Sequence, residues 1–370
     1  MNRMSAVLLE FDPHQNTLRK DKKLSDGLSA VVQIGPTLWV ANDESLSLER
    51  LSRQRGTDDG LIRYADHQQF PLHDFLRLPV PPTEEGDPIE EADIEGLDQH
   101  DGYLWLVGSH SVKRAAPKAE NSIEKNAKRL AKLSRDGNRF LLARIPLSDA
   151  AMPSLAQTVE RDGHARTAAR VAGNQQSNAL ISALAGDEHL GAFLAIPGKD
   201  NGLDIEGLAV AGDRVFVGLR GPVLRGWAVL LELALEEQDA ATLTLKPIGP
   251  AGRSYRKHFL DLRGSGVRDL CVRGDDLLIL AGPTLTQPGP QAVFRWPGGA
   301  RPDRESLVFG KDLPTVLDLP VGGGSEHAEG IARFDGHGGD AGTLLVVYDA
   351  AQNRQRNAHT VEADLFAVAD

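Results

Sequence analysis

Apolar residues in this chain gather into short, β-rich runs rather than long helical stripes: TLWVA at 37–41, YLWLVG at 103–108, RVFVGL at 214–219, LLILAG at 277–282 and TLLVVY at 343–348. Each run follows a glycine-bearing turn, and each turn follows another short strand-like stretch: GLSAVV, DIEGL, a second DIEGL, VRDLCV and HAEGIARF. Strand, tight turn, strand is the pattern of a hairpin. Its recurrence along one chain is the signature of a repeat architecture.

Aligned on the position of the glutamate in DIEGL, the copies stand at Ser29, Glu95, Glu206, Asp269 and Glu329, with spacings of 66, 111, 63 and 60 residues. The long step requires an inserted segment of about 45 residues, too long for a structureless loop. Two stretches supply helical patterning, and helical insertions are expected over 112–138 and 174–196. Ile123, Ala127, Leu130 and Ala131 share one face, with Asn121 and Glu124 spaced as a capping box. Two further strands follow most hairpins, as in AVLLELAL and TLTLKPI. Four antiparallel strands repeated radially make a β-propeller, which closes on itself and leaves little exposed edge. The fold expected is therefore all-β: a single propeller domain over 1–370 with five blades, or six if the segment 147–172 hides a degenerate unit. The amino-terminal strand at 5–11 is expected to complete the last blade. A pair of β-sandwiches is the competing reading of the same short strands.

Composition narrows the function classes. The 370 residues carry 41 Lys plus Arg against 52 Asp plus Glu, a net charge of −11, which argues against nucleic acid or an anionic membrane as partner of the whole molecule. The single cysteine, Cys271, excludes an internal disulfide and a cysteine metal cluster, and reads as inert core. With no signal-peptide core and no apolar stretch of membrane-spanning length, the expected location is cytoplasmic. The sequence has no G-x-S-x-G elbow, no Walker loop and no H-E-x-x-H motif. GHGGDA at 336–341 joins two strands and is read as a turn.

The repeat itself points to chemistry. In an antiparallel hairpin the first strand begins where the second ends, so both sets of residues share one mouth of the central channel. Asp93, Glu95, Asp204, Glu206, Arg268, Asp269, His327 and Glu329 come from strand beginnings; Asn42, Asp43, Glu44, Ser109, His110, Arg220, Tyr348 and Asp349 come from strand ends. Carboxylates crowded about an axis repel one another and call for a counter-charge. A hard divalent cation such as calcium, held by Glu95, Glu206, Asp269 and Glu329, is one expectation. Pairing with Arg220, Arg225 and Arg268 is the other. The glycine after each glutamate is read as a close backbone approach at the crowded axis.

In DIEGLAV (204–210), GLRGPVLRGWAVLLEL (218–233), the preceding FLAIPGKDNGLDIEGL and GSHS at 108–111, the chain resembles the bacterial family of domain of unknown function 3616, grouped with the β-propellers. That resemblance implies a propeller and no particular activity. The E-G-[I/L] strand starts are more loosely similar to phytase-like esterase and other calcium-binding propellers. By that analogy Glu95, Glu206 and Glu329 hold metal, although Ser29 and Asp269 depart from the pattern. Two functions follow as expectations. One is a divalent-metal-dependent hydrolase of phosphate or other esters, with His110 as general acid or base and Arg220, Arg225 and Arg268 stabilising negative charge. The other is a non-enzymatic propeller that binds a small anionic ligand or a protein.

Overall fold

Turn chemistry and the two-residue strand period together lay out the blades. In the computed structural model, which describes residues 3–18, 22–55, 61–82, 91–285, 287, 289–320, 326–336 and 342–368, Ile94–His100 lies antiparallel to Tyr103–Gly108. The turn between them is Asp101-Gly102, with φ of 46° and 74°. Two consecutive left-handed residues match the twist of a tight hairpin, and a glycine in the second place makes that cheap. The turn expected at 336–341 lies, beyond Gly336, outside the described residues.

Among the described residues the pairings trace five antiparallel runs of four strands, ordered from inside outwards. The first is Ala30–Ile34, Thr37–Ala41, Ser47–Arg53 and Ile62–Pro71. The second is Ile94–His100, Tyr103–Gly108, Leu142–Pro146 and Ala169–Val171. The third is Asp204–Ala211, Arg214–Gly221, Ala228–Asp239 and Arg256–Leu260. The fourth is Gly266–Arg273, Asp276–Gly282, Gln291–Trp296 and Thr315–Leu319. The fifth is His327–Arg333, Thr343–Asp349, Thr360–Ala367 and, from the other end of the chain, Arg3–Glu10, with Leu8 opposite Glu362. Each inner strand packs on the inner strand of the next run, and the fifth returns to the first, so the ring closes. The molecule is a β-propeller. Segment 147–172 contributes a small hairpin, Thr158–Arg161 with His164–Thr167, and the outer strand of the second blade.

The seams between blades explain the glycines that follow the glutamates. A Cβ on Gly96 would stand 2.6 Å from the Cβ of Leu208 in the next blade, and one on Gly330 would stand 3.1 Å from the Cα of Ala30. Carboxylates fasten the same seams: Asp98 Oδ2 accepts the Val210 N–H at 2.6 Å and Asp269 Oδ2 accepts that of Ile331 at 2.7 Å. At the rim, neighbouring outer strands pair in parallel, as where Val7 and Leu9 face Ile62 and Tyr64, which hides edges that would otherwise template association.

The insertions are shorter in helix than their patterning predicts. The first carries Ile123–Ala131 as a helix on a small hairpin base, Lys113–Arg114 with Leu133–Ser134. Its cap is Ser122, whose Oγ accepts the Lys125 N–H at 3.3 Å, not Asn121. In the second only Ala179–Leu184 is α-helical, capped by Asn178 and anchored by buried Leu180, Ile181 and Leu184. No helix is long and apolar enough to cross a membrane among the described residues.

Candidate functional site at the channel mouth

A repeated irregularity aims the charged side chains. In the second blade the register jumps between Ile94, opposite Gly108, and Gly96, opposite Val107, so Glu95 has no partner across the ladder. The same β-bulge singles out Glu206, Arg268 and Glu329 in the third, fourth and fifth blades. Each bulge turns its extra residue towards the axis. Arg268, rather than Asp269, therefore occupies the place of the glutamates in the fourth blade, and Asp269 occupies that of the following glycine. The first blade has no bulge there, and Ser29 Oγ donates to the Ile94 carbonyl at 2.6 Å.

Arginine at one bulge and at one strand end divides the mouth into two halves. Glu206 lies between Arg220 (2.6 Å) and Arg268 (2.9 Å); Arg220 also meets Asp204 at 3.2 Å, and Arg268 pairs with Glu329. This half is neutralised internally. In the other half Asp93, held at a left-handed φ of 50°, is bound by the buried Arg139, whose Nη2 donates to Oδ1 at 2.6 Å. Arg139 is itself seated by Ser109 (3.1 Å) and Ser111 (2.9 Å).

Beside that pair stands Glu95, only 9% exposed and without a hydrogen bond or ion pair among the described residues. Carboxylate oxygens of Asp43, Asp93 and Glu95 lie within 4.8 Å of one another. Burial, then the charges of Asp93 and Glu206, push the Glu95 carboxyl well above its ordinary range. Loss of solvent and then Asp93 and Asp349 raise Asp43 to about 7, and burial raises Asp204 to about 6 against the lowering effect of Arg220.

These groups line a cavity of about 390 Å³, which also takes in Lys113, Lys199 and Asp349. A second cavity of about 250 Å³ adjoins it through Lys199, Arg220, Glu329 and Asp349 and adds His327 and Arg268. Two glycines make room for the acids: a Cβ on Gly27 would collide with Asp349 Oδ1, and one on Gly198 would sit 2.5 Å from Asp204 Oδ2. An oxygen-only cluster with an unpartnered carboxylate fits a hard divalent cation, and adjacent ammonium and guanidinium groups fit an anion.

Of the residues singled out from the repeat, Glu95, Glu206, Glu329, Arg220 and Arg268 line these cavities. Three others lie elsewhere. His110 is buried, with Nδ1 2.7 Å from the Gly108 carbonyl and Nε2 2.7 Å from Asn178 Nδ2; burial lowers its pKa to about 4, so both ring nitrogens are committed to structure. Arg225 is exposed in the turn bridged by Leu224 and Trp227. Asp269 faces backbone N–H groups across the seam. Arg139 escapes a reading based on the repeat, because it sits on a 3₁₀ turn, Gly137–Phe140, just after the insertion and outside the hairpin strands.

The match to a family model runs over residues 27–364 and thus over most of the chain. The chain belongs to the family of proteins of unknown function DUF3616. Solved structures similar to this DUF3616 protein include the glutaminyl cyclase of Myxococcus xanthus, at 11% identity and a TM-score of 0.38 over 99% of this chain and 100% of that one. A putative oxidoreductase (glucose dehydrogenase) of Thermus thermophilus shows 14% identity and a TM-score of 0.38 over 92% and 97%. The Nup133 β-propeller domain of Vanderwaltozyma polyspora shows 8% and 0.34 over 100% and 83%. Likeness this distant has no bearing on activity. No curated protein matches the chain.

Proposed function

We propose that the channel mouth binds a divalent cation, calcium or a similarly hard ion, on Asp43, Asp93 and Glu95, and that the cation holds an anionic ester for hydrolysis. The observation that carries this reading is Glu95: a carboxylate withdrawn from water, crowded by two others and offered no donor. Isolated burial of that kind is costly, and a cation is the simplest group that repays it. A cation there would draw electron density from a phosphate or carboxylic ester oxygen. Lys199 and Lys113 would meet the remaining negative charge of the ligand. His327, which lines the adjoining cavity, would serve proton transfer.

A second reading, a binding propeller without catalysis, draws support from Arg220 and Arg268. Their guanidinium groups are already bridged to Glu206, Asp204 and Glu329, which leaves them little freedom to stabilise charge that develops in a reaction. Calorimetric titration with calcium and magnesium, followed by a panel of phosphate and carboxylic esters, separates the two. Cation binding that Glu95→Gln abolishes, together with turnover of an ester, supports the hydrolase. Cation binding without turnover, or absence of both, overturns the hydrolase and leaves the binder.

A further inference from the structure

The helix of the first insertion is amphipathic, yet among the described residues neither of its sides is buried. Successive residues turn by roughly 100°, which places Ile123, Ala127, Leu130 and Ala131 on one side and Lys125, Lys128, Arg129 and Lys132 on the opposite one. None of its nine residues is buried. Ile123 is 84% exposed, Leu130 46%, and Leu133, just past the helix, 45%. The element is fastened to its own loop rather than to the blades: Arg129 Nε donates to the Ala116 carbonyl at 2.6 Å, and Asn126 exchanges two bonds of 2.9 Å with the backbone of Lys118. From 113 to 135 there are eight basic residues and two acidic ones. Among the described residues, Lys125, Lys128 and Lys132 make no ion pair.

We propose that this arm docks the protein on an anionic lipid surface, with Ile123, Leu130 and Leu133 entering the headgroup boundary and the lysines among acidic headgroups. The disposition of charge selects this occupant. A nucleic acid would engage the basic side and leave the apolar side in water. A groove on another protein would take the apolar side and would match the lysines only if its rim were acidic. A charged lipid interface satisfies both at once. The net charge of −11 does not forbid it, since at physiological ionic strength a charge is screened within about 8 Å and the arm is itself basic, eight residues to two. Because Lys113 and Arg114 at the base of the arm line the larger cavity, docking would bring that mouth to headgroup level.

The test is co-sedimentation of the full chain with vesicles of phosphatidylcholine alone and of phosphatidylcholine mixed equally with phosphatidylglycerol, in chelator so that the cation site plays no part. Binding is expected to the mixed vesicles only. Lys125→Gln/Lys128→Gln/Lys132→Gln should weaken it by on the order of a hundredfold, and Ile123→Glu/Leu130→Glu should abolish it. Both variants change exposed residues, so their melting should match that of the wild type. A third variant, with residues 116–131 replaced by a glycine–serine linker, should likewise fail to sediment. No sedimentation of the wild type, or sedimentation that survives Ile123→Glu/Leu130→Glu, overturns the proposal. So does retention on duplex DNA that only the lysine variant loses, or a dimer in solution that only the Ile123→Glu/Leu130→Glu variant dissolves.

Discussion

Glu95 and Arg139 show how differently two buried charges behave in the same half of the mouth. Arg139 is the counter-ion of Asp93, and taking it away strands a buried carboxylate. Arg139→Met should therefore cost about 3–5 kcal/mol in denaturant unfolding. Burial and then the charge of Asp93 raise the Glu95 carboxyl above its ordinary range, so Glu95→Gln, which removes that repulsion, should leave stability in chelator at neutral pH equal or slightly higher. The titration has a definite sign. Asp43, Glu95 and Asp204 keep protons in the folded state that the unfolded chain releases near pH 4. Between about pH 4 and 7 the native state thus binds more protons, and these groups make stability fall as pH rises. Thermal melts in chelator should show that fall, less steeply in Glu95→Gln. In saturating calcium the gain in melting temperature should grow from pH 5 to 8, since the cation competes with protons. A calcium effect that does not change over that range would contradict direct carboxylate ligation.

Among the elements, the bulged inner strand governs both the site and the seam. Its bulge residue faces the axis and the residue after it faces the next blade. Gly96→Ala should destabilise by about 1–3 kcal/mol through overpacking against Leu208, with cation affinity little changed. Chevron or equilibrium unfolding beside calcium titration would check both halves of that statement. The phase of the repeat makes the acidic mouth readable from sequence, because the strand starts DIEGL and HAEGI carry it in plain order. It misplaces Asp269 by one residue, since a bulge adds a position that spacing alone does not reveal. His110 is drawn in by its place at a strand end. A left-handed φ of 56° and the bonds to Gly108 and Asn178 turn it into the core, and neither is visible in a string of letters. The second helix is shorter than its pattern: Gly191–Phe193 forms a single 3₁₀ turn with no α-helical continuation.

For the whole molecule, the joining of the two ends of the chain is the feature on which integrity rests. Val7 and Leu9 are fully buried in the fifth blade, and the strand that carries them also pairs with Ile62–Pro71 of the first. Removal of residues 1–11 should lower the melting temperature by more than any single substitution above and broaden the calorimetric transition. An unaltered, sharp transition would mean that the ring holds without its clasp. The bulge has a wider consequence still. In the tripeptide Ile94-Glu95-Gly96 one side chain supplies ligand chemistry while its bare neighbour permits two sheets to touch. Any lineage or designer wishing to relocate the acid by a single position would also have to recut the joint beside it, so the chemistry of this pore is locked to its masonry.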